Sequence, residues 1–69
     1  MKWYKVSDKL PEPYLKVRCR VEVGSMQRRI IERDGFRLND PWKARFSCDG
    51  DWQTTVEWRY LEGEEVYAV

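Results

Sequence analysis

Residues 15–23 alternate without exception, with Leu15, Val17, Cys19, Val21 and Val23 separated by Lys16, Arg18, Arg20 and Glu22. A period of two marks an extended strand, because successive side chains leave the backbone on opposite faces. Wound into a helix, the same residues would scatter around the axis and form no apolar stripe. The pattern predicts a strand with one buried and one wet face, and that strand requires neighbours and a cover.

The neighbours are marked by turn residues. Gly24-Ser25 ends the strand, and Met26 to Arg33 reads as its return. Ile30 and Ile31 point to opposite sides there, which calls for cover on both faces or a bulge. A two-residue loop sets Arg20 opposite Arg29, with Arg18 and Arg33 on the same face. A three-residue loop pairs Glu22 with Arg28 and Arg18 with Glu32 instead. Asp34-Gly35 is a two-residue hairpin signal that sets Ile31 against Leu38. Asp49-Gly50-Asp51 predicts a further hairpin. Taken as a three-residue loop, it pairs Cys48 with Trp52, Phe46 with Thr54, Ala44 with Val56 and Trp42 with Trp58. Trp42, Phe46 and Trp58 are then expected in the core, with Tyr60 on the same face.

Residues 1–14 read as a lead-in that covers one open side of the sheet. Trp3, Val6, Leu10 and Tyr14 recur at three- and four-residue steps. Ser7-Asp8 can cap one helical turn, which Pro11 and Pro13 keep short. Residues 62–69 form a turn with room for a short edge strand at Val66–Val69. The expectation is a mainly β chain with a single small domain over residues 1–69. Its architecture is an antiparallel curled sheet or partly open barrel of four to five strands, with a short N-terminal helical turn.

Composition narrows the function. The chain is 42% apolar and 14% aromatic, too rich in both for a disordered segment. It contains no histidine, which removes the commonest general base and the usual zinc patterns. Cys19 and Cys48 are expected as reduced thiols on apolar faces. Asp49, Asp51 and Glu57 lack the ligand spacing of a metal loop, and the four glycines are scattered one per turn. No enzyme, cofactor or metal is expected. No run approaches the roughly 20 apolar residues that cross a bilayer, and no secretion signal opens the chain, so the expectation is a cytoplasmic protein without a membrane partner.

Charge supplies the functional candidates. The net charge is +1, but residues 16–48 carry +5 and residues 49–69 carry −5. Arg18, Arg20, Arg29 and Arg33 are the candidate partner- or anion-binding residues. Like charges set opposite each other are unfavourable unless something anionic lies over them. A non-catalytic module that binds an acidic protein is the leading reading, and a nucleic-acid or phosphate-binding module using the arginine face is the alternative. Trp42, Lys43, Arg45 and Phe46 interleave aromatic and basic groups as base-stacking surfaces do, but both aromatics fall on the apolar face of the expected hairpin.

The segment Trp3-Tyr4-Lys5-Val6-Ser7-Asp8-Lys9-Leu10-Pro11-Glu12-Pro13, followed by Lys16-Val17-Arg18-Cys19, resembles the opening of a domain family of unknown function found mainly in small phage and prophage proteins. That family closes on a His-Trp-Met-Pro-Leu-Pro-like element. The corresponding piece here is Val56-Glu57-Trp58-Arg59-Tyr60-Leu61, with Glu57, Arg59 and Tyr60 where the family has His, Met and Pro. The resemblance implies a phage or prophage context and hence a host-cell cytoplasm. It brings no catalytic or binding residues with it.

Overall fold

The computed structural model describes residues 2–63. Its strands are β1 (Tyr4–Lys5), β2 (Val17–Val23), β3 (Arg29–Gly35), β4 (Arg37–Leu38), β5 (Arg45–Phe46) and β6 (Gln53–Tyr60). Four of them form one antiparallel sheet in the order β1-β6-β2-β3, and β4 pairs with β5. The sheet is open, and no α-helix occurs among the described residues. The protein is therefore mainly β, as the alternation requires.

β2 is the central strand, and its alternation appears directly as burial. Val17, Cys19 and Val21 are fully buried, whereas Arg18, Arg20 and Glu22 are not. Trp58 and Phe46 complete the buried core. Tyr4, Val6 and Leu10 of the lead-in pack on it, together with Val23, Ile31 and Cys48. The helical turn expected in the lead-in is a single turn closed by the Lys9 N–H on the Lys5 carbonyl at 3.1 Å. The edge strand expected at Val66–Val69 lies outside the described residues.

Three expected pairings differ. β6 does not fold back on residues 42–48; it lies between β1 and β2, with Trp58 opposite both Tyr4 and Cys19. A long strand carrying Trp58 buries more apolar surface against the continuous apolar face of β2 than against the short β5. Trp42 is consequently left 92% exposed, and Trp52 67% exposed, rather than in the core. One extra residue in β6, at Val56, shifts the register between Arg20 and Val21. The Val56 carbonyl accepts the Val6 N–H at 3.1 Å.

Asp34-Gly35 is not a hairpin. β3 runs straight through it, with Asp34 opposite Arg18 and Gly35 opposite Val17. Glycine stands there because a Cβ would lie 2.7 Å from Cys48 Sγ and 2.9 Å from Ser47 Oγ. Close approach, not a turn, sets this residue.

The loop between β2 and β3 spans Gly24 to Arg28, longer than either expected length. Gly24 has φ +115°, and its N–H continues the β2–β6 ladder by donating to the Trp52 carbonyl at 2.9 Å. Ile30 and Ile31 do lie on opposite faces. Ile31 packs on the core and Ile30 stays 51% exposed, with neither cover nor bulge.

Candidate protein-binding edge

The register of β2 and β3 divides the four candidate arginines. Arg18 and Arg20 face Asp34 and Glu32 on the polar side of the sheet. Arg29 and Arg33 face Val23 and Cys19 on the other side. The observed register lies two residues beyond that of the three-residue loop and keeps its faces, so Arg29 and Arg33 part from Arg18 and Arg20 as that loop implies, and the four-arginine face of the two-residue loop does not form.

On the polar side the arginines meet acids of neighbouring strands. Arg18 Nε donates to Asp34 Oδ1, and Lys16 Nζ lies 3.8 Å from Asp34 Oδ2. Arg20 Nη1 reaches Glu57 Oε1 at 3.3 Å, and Arg28 bonds Glu22. Across the sheet Lys5, Glu57, Arg20 and Glu32 form a row of alternating sign. Trp3 of the lead-in lies over this face, with the Arg20 guanidinium 3.8 Å and that of Arg59 5.4 Å from its ring. Arg59 is only 5% exposed. A cation over an indole face is held by the ring quadrupole. Sequence reasoning missed Trp3 and Arg59, because only the strand order brings them beside Arg20.

The other side differs in kind. Among the described residues, Arg29 and Arg33 are the two arginines whose side chains make no hydrogen bond, ion pair or ring contact. Both are exposed and flank Ile31 on one face of β3, about 13 Å apart at strand rise.

β3 is also an edge strand. In an antiparallel ladder the N–H and C=O of one residue point the same way, alternating along the strand. The Gly24–Trp52 bond turns the even-numbered residues of β2 toward β6. The odd ones therefore bond to β3, through Arg29, Ile31, Arg33 and Gly35. Ile30, Glu32 and Asp34 turn their backbone groups outward. Phe36 continues this alternation: its N–H donates to Ser47 Oγ at 3.1 Å and its carbonyl accepts the Ser47 N–H at 2.8 Å. From Phe36 onward the edge is thus covered, and the Cys48 thiol reaches the Asp34 carbonyl at 3.7 Å. The stretch from Arg29 to the Asp34 N–H faces no strand among the described residues.

The thiols and loop carboxylates serve the fold. Burial pushes the Cys19 thiol up to about 12, with Cys48 beside it and Asp49 and Asp34 adding to the shift. Such a thiol stays protonated and is a poor nucleophile. Asp49 accepts the Phe46 N–H at 2.9 Å and the Thr55 N–H at 2.8 Å, which closes the loop before β6. Comparison with family models, curated proteins and solved structures returns no match.

Proposed function

We propose that the protein is a non-catalytic protein-binding module that receives an acidic partner on the Arg29–Arg33 side of β3. The observation that carries this reading is the contrast among the arginines. Arg18 and Arg20 are neutralised by Asp34 and Glu57, whereas Arg29 and Arg33 stand exposed with no counter-charge among the described residues. An exposed guanidinium is a fork suited to a carboxylate, and Ile31 between the two adds an apolar contact. The nucleic-acid reading loses support, because it relied on one uninterrupted field of four arginines. The resemblance of the opening residues extends the proposal to a phage or prophage protein whose partner lies in the host cytoplasm.

The experiment is capture from host lysate on the immobilised protein, with and without nuclease. Capture should survive nuclease and vanish in the double variant Arg29→Glu with Arg33→Glu, while its melting temperature stays near the parent's. Capture that requires nucleic acid, or that persists in the folded double variant, removes the proposal.

A further inference from the structure

We propose that the acidic partner is taken up as an added β-strand on the open stretch of β3, an inference that rests on the protein-binding reading above. Two independent features coincide on these six residues. The backbones of Ile30 and Glu32 and the Asp34 N–H point away from the sheet and meet no strand among the described residues. The side chains of Arg29, Ile31 and Arg33 line one face of the same stretch. Main-chain hydrogen bonds to such an edge supply affinity, and alternate side chains supply selectivity. A strand laid here sets its residues opposite Arg29, Ile31 and Arg33 at every second position. The partner is therefore an extended segment of the pattern acid–x–apolar–x–acid, and this pattern reads the same in either chain direction.

A second copy of this chain fits the edge poorly. Two copies of β3 paired about Ile31 set Arg29 of each copy opposite Arg33 of the other. Pairing about Glu32 sets Glu32 opposite itself. Like charges directly opposed are destabilising, so in both registers the charges that attract an acidic strand repel self-pairing. Pairing about Ile30 avoids the clash but matches only Arg29–Ile31 of each strand.

The test uses a labelled, end-capped peptide that repeats Glu-Thr-Val-Thr-Glu, followed by fluorescence anisotropy. Glu32→Pro removes an outward N–H without touching the β2–β3 ladder, as proline on an edge strand can. It should weaken binding by about tenfold or more, the equivalent of about 1.4 kcal/mol, whereas Glu32→Ala, which keeps the N–H, should not. In the peptide, N-methylation of one alternate set of residues should abolish binding, and methylation of the other set should leave it. That measurement leaves the protein unaltered, so it decides the matter even if Glu32→Pro unfolds. No binding by the wild-type protein, equal effects of the two methylation sets, or full binding by folded Glu32→Pro would overturn strand addition. If those results accompany lysate capture lost in the Arg29→Glu, Arg33→Glu variant, the acidic-partner reading survives alone. A concentration-dependent dimer dissociated by Glu32→Pro would place a second copy on the edge and overturn the acidic occupant.

Discussion

The indole N–H of Trp58 donates to the carbonyl of Lys9, 49 positions earlier, at 2.8 Å. This one bond ties the lead-in to the middle of β6. It also gives a fully buried polar group its partner, as burial demands. Around it Tyr4 and Tyr60 pack on the same indole, with ring centroids at 4.9 and 5.0 Å.

Trp58→Ala should leave the chain largely unfolded at room temperature. Truncating a buried Trp costs about 3–5 kcal/mol, and a domain this small has little more in total. Trp58→Phe keeps most of the packing but strands the Lys9 carbonyl, at a cost of about 1–3 kcal/mol. Urea titrations of the two variants should separate packing from the hydrogen bond.

Trp42→Ala should behave in the opposite way. Its side chain is 92% exposed, so the change should fall within about 0.5 kcal/mol of the parent. A melting curve tests this directly, and a large loss would mean that Trp42 packs as the hairpin pattern first implies.

Gly35→Ala should destabilise by about 1–3 kcal/mol, because the new methyl meets Cys48 Sγ and Ser47 Oγ inside contact distance. Adding Cys48→Ala removes one of the two obstacles and should restore part of the loss. Melting of the single and double variants provides the check.

The Cys19 thiol should resist alkylation at pH 8 while Cys48 reacts, as mass spectrometry of iodoacetamide-treated protein would show. The same burial predicts a loss of stability at high pH. The folded state holds the Cys19 proton up to about 12, whereas the unfolded chain releases it near 9. Between these values the unfolded state binds fewer protons, so stability falls as pH rises. The slope from this group approaches about 1.4 kcal/mol per pH unit. Against a Cys19→Ala reference, the difference in unfolding free energy should shrink across pH 9–12 in denaturant titrations.

Trp3→Ala should cost about 1 kcal/mol through its lost contact with Arg20. A double-mutant cycle with Arg20→Ala should recover most of that as a coupling energy, whereas Trp3 acting only as a hydrophobic cover would give additive losses.

What was legible in the sequence is what neighbouring residues decide between themselves. The alternation of residues 15–23 predicts a half-buried strand and is met from Val17 to Val21, because a period of two follows from backbone geometry alone. Val23 is half-buried, and Leu15 lies before the strand, 41% exposed. Gly24 marks a turn for the same local reason. The tertiary structure decided everything that depends on which distant strand lies alongside. Gly24 bonds Trp52, so the loop lengthens and the β3 register moves past both lengths that local turn rules favour. Asp34-Gly35 has the composition of a hairpin, but its glycine answers to Cys48 and Ser47, which reach it through space. Trp42 and Trp58 carry the same apolar signal, and only the choice of β2 over β5 as the partner of β6 buries one and exposes the other. The arginines follow from this: the two loop lengths differ by one residue and so put the Arg29 and Arg33 pair on opposite faces of the sheet, and the observed register, an even step beyond the three-residue loop, parts it from Arg18 and Arg20. Register is set by the total apolar surface buried across strands far apart in the chain, a sum that no local stretch of sequence contains.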